Sequence, residues 1–293
     1  MSGGCIEGAV AKIALEVLAS GEAQLHDFGV SNEDAWEVGL SCGGAIRVFI
    51  EPHLSQGSDL DRQIWSAFSE GIGKDTNLTL ITKLNSTAEH GLIHDGGSEL
   101  CPQSWPTGVV SIAEGINSAR KSELFSHEGD TFFAHCVTKP NHLIVIGAAH
   151  LSTELVQIAQ VLGFKITVID PRGLFTESLR KLCSPDQLHR AWPAAILPDL
   201  ALDDQTYAAL LTHDPKIDDQ AMQILLRSPV KYIGALGSSR THSRRVARLA
   251  EAGFTTSEID RIHGPIGLDI SAQTPAEIAV SIVAEITKTM HSE

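Results

Sequence analysis

Three stretches carry residues whose types and spacing suit chemistry. The first is Gly147-Ala148-Ala149-His150-Leu151-Ser152, which follows the apolar run Leu143–Ile146 and opens a helical pattern. A glycine turn between strand and helix presents backbone amides and the positive end of a helix dipole, which together hold phosphate. Asp170 lies about 20 residues on, where an acidic residue meets the ribose of a bound nucleotide. The full G-x-G-x-x-G pattern is broken. Ala149 puts a methyl where backbone must approach a pyrophosphate, and Ser152 replaces the third glycine. The stretch therefore reads as an NAD or NADP site, or as the same scaffold put to another use.

The second is Gly237-Ser238-Ser239-Arg240, a glycine turn after the apolar run Tyr232–Leu236. Amides, hydroxyls and an arginine meet there at a helix start, which suits an anion. Arg240, Arg244 and Arg248 share one helical face, with Arg245 beside it. In a chain of net charge −14 such a stripe requires an anionic ligand or the protein's own carboxylates. The third is a pair of thiols near glycines, Cys5 in SGGC and Cys42 in SCGG. A thiol at a helix start has a lowered pKa and gains nucleophilicity; equally, a small residue at a turn is simply buried. His213-Asp214 forms either an acid–base pair or a turn in which Asp214 caps the next helix. His263 and Asp269 sit in a glycine-punctuated loop, HGPIGLD.

The elements that must position these residues follow from periodicity. Leu143–Ile146 reads as a strand buried on both faces. Leu151, Leu155, Ile158, Ala159 and Leu162 recur at helical spacing, and Ile166–Ile169 begins a second strand. This is a βαβ unit, with parallel strands and a right-handed crossover. Thr274–Glu277 has the form of a capping box before a core-facing last helix. Residues 139–293 are expected to form a Rossmann-like parallel-sheet domain, with Ala194–Leu197 as one of its strands. Residues 1–138 are expected to form a smaller α+β domain. There Asp59–Gly71 and Ile112–Leu124 read as helices, and Leu78–Leu84 and Thr131–Val137 as strands. The fold class is α/β.

Composition bounds the function. Of 293 residues, 43% are hydrophobic and 20% charged, as in soluble globular proteins. The acidic balance argues against nucleic acid and against stable association with anionic membranes. The five scattered cysteines, without a CxxC pair, fit a reducing cytoplasm better than a disulfide framework or a zinc site.

Taken in order, SGGCIEGAV, LSCGGAIRVFIEP, VIGAAH, VIDPR, THDPKIDD, YIGALGSSRTHSRR and RIHGPIGLDISAQTPAEIAVSI resemble the XdhC/CoxI family. These are accessory proteins of molybdenum hydroxylases such as xanthine dehydrogenase and carbon monoxide dehydrogenase. The resemblance implies a chaperone for the molybdenum cofactor, a pyranopterin dithiolene that often carries a nucleotide. It implies help in exchanging oxo for sulfido on molybdenum and delivery of the cofactor to the apo-hydroxylase. A cysteine desulfurase and a second copy of the chain are the further partners it implies. By the same resemblance the cofactor contacts fall on Cys5, Cys42, Gly147, His150, Asp170, Gly237, Ser238, Ser239, Arg240 and His263, with Cys5 and Cys42 nearest molybdenum and its sulfur. Two departures stand out. The family's GAGH reads GAAH here, which moves the expected phosphate toward Ser238 and Arg240. The family usually has a segment before SGGC, so either the N-terminal domain is shortened or the start has been placed too late. The rival readings are an NAD(P)-dependent oxidoreductase using Asp170 with His213 or His263, and a structural subunit of a hydroxylase complex.

Overall fold

The structure, a computed structural model, describes residues 5–30, 44–74, 76–95, 99–172 and 182–292, except for the side chains of Cys5, Val30 and Glu99. The chain divides into two units, Met1–Lys139 and Pro140–Glu293.

In the first unit, helix α1 (Cys5–Ser20) leads into an antiparallel pair, β1 (Gln24–Val30) and β2 (Gly44–Ile50). Helix α2 (Asp59–Gly71) starts at a capping box. The Ser58 hydroxyl accepts from the Asp61 N–H, and the Asp61 carboxylate accepts from the Ser58 N–H. Strands β3 (Leu78–Lys83), β4 (His90–His94) and β5 (Glu99–Leu100) follow, then helix α3 (Thr107–Ala119) and strands β6 (Glu123–His127) and β7 (Asp130–Val137). The five strands from β3 to β7 make an antiparallel sheet in the order β5-β4-β3-β7-β6. The two-residue period of β3 serves two cores. Ile81, with Ile93 and Phe132, packs against Val109 and Ala113 of α3. Leu78, with Leu92, packs against Ile64 and Phe68 of α2 on the other face. The helix expected over Ile112–Leu124 instead spans Thr107–Ala119. Arg120, at φ 55°, ends it in a left-handed cap, and Glu123 and Leu124 belong to β6.

The second unit comprises β8 (His142–Ile146), α4 (His150–Val161), β9 (Lys165–Ile169), β10 (Gln187–His189), α5 (Pro193–Ile196), β11 (Thr206–Leu210), α6 (Pro215–Leu225), β12 (Tyr232–Ala235), α7 (Ser239–Glu251), α8 (Thr256–Ile259), β13 (Ile262–His263) and α9 (Pro275–His291). All its strand pairs are parallel, in the order β10-β9-β8-β11-β12-β13. That is the doubly wound order in which strand succession reverses between the first and fourth strands, here β8 and β11. Leu143, Ile144, Val145 and Ile146 are all fully buried. Leu143 and Val145 join Leu155, Ala159, Ile282 and Ile286 of α4 and α9. Ile144 and Ile146 join Met222, Leu225 and Leu249 of α6 and α7. Removing one such side chain, as in Leu143→Ala, costs about 2–5 kcal/mol. Ala194–Leu197, expected as a strand, instead lies in the helical turn Pro193–Ile196, and Leu197 starts the 3-10 turn that follows. A four-residue apolar run carries no periodicity that separates the two structures.

Candidate ligand site at the switch point

In a doubly wound sheet, ligands bind beyond the carboxyl ends of the strands at the reversal of strand order. At the end of β8, Gly147 has φ +108°, and a Cβ there would lie 2.8 Å from the Thr212 methyl in the turn after β11. Glycine is therefore required both by conformation and by the close approach of the two turns. The amides of Ala148 and Ala149 are already occupied. The Ala148 N–H donates to Asp170 Oδ2 at 2.7 Å, and the Ala149 N–H donates to Ser152 Oγ at 3.2 Å. Ser152 is fully buried and donates its own hydroxyl hydrogen to the Gly147 carbonyl at 2.6 Å. The serine at the third glycine position thus closes the turn from within.

Asp170 is buried, and its oxygens are full. Oδ1 accepts from the Arg172 N–H at 2.8 Å and Arg172 Nε at 3.1 Å; Oδ2 accepts from Ala148 and from Arg172 Nη2 at 2.9 Å. Two carboxylate oxygens offer about four acceptor positions, so none remains for a ribose hydroxyl. Burial pushes this carboxyl up, but the bonds from Arg172 and Ala148 outweigh it and hold it below the ordinary aspartate value. Arg172, absent from the sequence-based candidates, was marked only by its place two residues after Asp170 in VIDPR.

Beyond β11, Asp214 is the N-cap of α6 and accepts from the Lys216 N–H at 2.9 Å. His213 beside it is exposed, in left-handed conformation at φ 61°. Behind this turn the Thr212 hydroxyl donates to buried Asp218 at 2.6 Å. Burial raises the Asp218 carboxyl above its ordinary value, and the Thr212 bond and the Arg245 charge only partly offset it. Arg245 is itself buried. Its Nη2 donates to the Leu236 carbonyl at 2.9 Å and lies 3.8 Å from Asp218.

The turn after β12 is arranged differently. Gly237 has φ +140°. Ser238 caps α7 by accepting from the Thr241 N–H at 3.2 Å. Ser239 and Arg240 occupy the first helical turn, where amides have no intrahelical acceptor, and both side chains are exposed. Among the described residues neither Arg240 nor Arg244 makes an ion pair. Arg248, third in the stripe, forms a two-point bond with Asp219 at 2.6 and 2.8 Å. The stripe therefore divides: one arginine is paired to a carboxylate of the same unit, and two stand exposed near a helix N-terminus.

His263 ends β13 with Nδ1 3.1 Å from Glu285 Oε1. Tyr232 donates its hydroxyl hydrogen to Glu285 Oε2 at 2.5 Å, and the Gly267 N–H donates to the same oxygen at 2.8 Å. Burial alone would raise Glu285, yet His263, Tyr232 and Gly267 hold it below its ordinary value. His263 is thus part of a clasp joining β12, β13 and α9. His150 is the exposed first residue of α4. Cys5 begins α1, whereas its side chain, like all of Cys42, lies outside the described residues. Among the described residues no three His, Cys, Asp or Glu side chains converge to hold a metal ion, and no helix is long and apolar enough to cross a membrane.

The strand order and the two contrasting βα turns define a Rossmann-type domain whose dinucleotide turn is closed and whose turn after β12 is open. Residues 143–286 match the XdhC Rossmann domain and belong to that family. Over 295 residues the chain is 28% identical to a probable xanthine dehydrogenase component from Bacillus subtilis (strain 168), covering 99% of this chain and 83% of the relative. It is 24% identical over 294 residues to the "molybdenum cofactor insertion chaperone PaoD" of Escherichia coli (strain K12), covering 100% of this chain and 74% of the relative. The crystal structure of a xanthine dehydrogenase from Bacillus halodurans is similar throughout, with a TM-score of 0.74 at 26% identity, covering 100% of this chain and 82% of that one.

Proposed function

We propose that this protein is a maturation chaperone that carries the molybdenum cofactor, assists its sulfuration and inserts it into a molybdenum hydroxylase of the xanthine dehydrogenase type. The observation that carries the reading is the similarity to PaoD along the whole chain. The cofactor is cargo here, and the turn Gly237–Arg240 suits its phosphate. The unshared amides of Ser239 and Arg240 and the exposed guanidinium groups of Arg240 and Arg244 supply donors and positive charge in an otherwise acidic chain. Cys5 and Cys42 are the thiols assigned to the metal–sulfur end, where soft sulfur ligands suit the centre. The partners are the apo-hydroxylase and a cysteine desulfurase as sulfur source, and the working form is a homodimer. The filled acceptor positions of Asp170 weigh against a nicotinamide dinucleotide at the first turn.

The test is anaerobic. Reduced protein is incubated with molybdenum cofactor and passed through gel filtration, and the protein peak is assayed for pterin by fluorescence after oxidation. Retention by the parent, with loss in Arg240→Ala and in Cys5→Ser or Cys42→Ser, is the expected result. A folded parent that retains nothing, or that purifies at fixed stoichiometry with an active hydroxylase as its permanent component, contradicts the chaperone reading.

A further inference from the structure

The first unit contains a cleft of about 410 Å³ that none of the assigned residues enters. It lies on the sheet face that also carries Leu78 and Leu92, the residues packed against α2. Its floor is one face of β3, β7 and β6, with Leu80 opposite His135, and Thr82 and Leu124 both opposite Phe133. Its wall is the β1–β2 pair, through Leu25, Val48 and Phe49. The Phe133 and His135 rings lie nearly parallel, 6.2 Å apart at 16°. Phe133, Leu124 and Leu25 are 37%, 51% and 42% exposed, so the apolar lining is open to solvent. The volume and mostly apolar lining are those of a small-molecule site (about 300–1,000 Å³).

A built polar device stands at the end of this cleft. His90, 4% exposed, is the cross-strand partner of Thr82. Its Nδ1 is 2.9 Å from Asp61 Oδ1 and its Nε2 is 2.8 Å from Glu51 Oε2. Carboxylates only accept, so both ring nitrogens must carry hydrogen and the imidazole is held as a cation. The trio Asp61–His90–Glu51 then has a net charge of −1. Asp61 is also tied to Ser58 through the α2 capping box. Glu51 lines the cleft, and among the described residues its Oε1 has no hydrogen-bond partner. The cleft thus combines flat apolar surfaces with one oriented, negatively charged acceptor. Arg47, the cation on its lining, is already engaged by Asp27 at 2.6 Å.

We propose that this cleft binds a flat heteroaromatic ring with an N–H donor edge, specifically the 2-aminopyrimidin-4-one ring of a pterin. The ring lies against Phe133, His135 and Leu80, and its adjacent N3–H and 2-amino hydrogens are donated to Glu51. The choice of ring rests on the proposed function, because the pyranopterin of the cargo bears this edge. His90 is a positioning residue that orients Glu51 without touching the ligand.

The probe is free pterin, which has neither phosphate nor dithiolene, titrated into the full chain and followed by its own fluorescence. Saturable binding is expected in the parent, weakened at least tenfold in Glu51→Gln and unchanged in Arg248→Ala, whose guanidinium is paired to Asp219. Leu124→Trp, at a floor position that is 51% exposed, is expected to leave the fold intact and to abolish binding by filling the cleft. A folded parent that gives no response overturns the proposal, even if it retains the whole cofactor. So does binding that survives both Glu51→Gln and Leu124→Trp. Pterin bound in the cleft by a parent that retains no molybdenum cofactor leaves the proposal standing and contradicts the chaperone reading instead.

Discussion

Two βα turns of one parallel sheet, after β8 and after β12, begin from the same plan and end differently. Each has a glycine of positive φ at the strand's end and a helix starting within three residues. After β8, a serine and a carboxylate from the same unit take up the amides of Ala148 and Ala149, and the turn closes on buried Ser152. After β12, the serine makes only an N-cap, and two exposed arginines stand on the helix beyond it. A glycine turn is therefore an anion site only when nothing nearby supplies the anion. Asp170 and Ser152 supply acceptors at the first turn; no described carboxylate does so at the second.

Substitutions that open the first turn or disarm the second test this contrast. The largest expected effect is that of Asp170→Ala, which leaves the Ala148 amide and the Arg172 guanidinium without their acceptor. A loss of about 2–3 kcal/mol is expected, at the lower end because Arg172 is partly exposed and screened. Urea denaturation measures it, and a variant as stable as the parent would break the account of the closed turn. Gly147→Ala should cost about 2 kcal/mol, from positive φ and the nearby Thr212 methyl, read in the same assay. Arg240→Ala should change stability by less than about 0.5 kcal/mol, as a surface substitution does. Cofactor retention in that variant should nevertheless fall at least tenfold, or about 1.4 kcal/mol. At the small end, Arg248→Ala removes a partly exposed pair, costs about 0.5 kcal/mol, and should leave retention unaltered.

A pH series sets the two units against each other. Burial lowers the His90 pKa, but hydrogen bonds and charge from Glu51 and Asp61 outweigh it and raise the value above the ordinary one. A raised histidine contributes stability in full below its ordinary pKa and loses that contribution as pH rises through the raised value. The stability difference between the parent and His90→Asn should therefore shrink as pH rises above about 6.5. Asp170 is shifted downward, so its contribution is present above the ordinary carboxylate range and is lost only as pH falls. The difference between the parent and Asp170→Ala should stay flat over the same alkaline interval. Denaturant midpoints at several pH values distinguish the two trends.

The parallel-sheet unit was largely legible in the sequence. Its strands are buried on both faces and read as continuous apolar runs, as at Leu143–Ile146, and its caps at Asp214, Ser238 and Thr274 are local signals. What the sequence did not show was how polar groups pair over distance. Arg248 on Asp219 and Arg245 beside Asp218 look identical to Arg240 and Arg244 when read as a stripe, because pairing depends on the neighbouring helix. Asp170 had the right spacing for a ribose ligand, and only the folded turn shows that its oxygens are taken. The antiparallel unit was harder to read. Its polar cluster draws Glu51 from just after β2, Asp61 from α2 and His90 from β4, and no spacing rule links them.

The measurement that bears most directly on the central claim is anaerobic cofactor retention by the parent, Arg240→Ala and the double variant Arg240→Ala/Arg244→Ala, with folding checked by circular dichroism. The account predicts pterin in the parent's protein peak, at least tenfold less with the single variant and none with the double. Equal retention by all three folded proteins would contradict the assignment of the turn after β12 as the anion site.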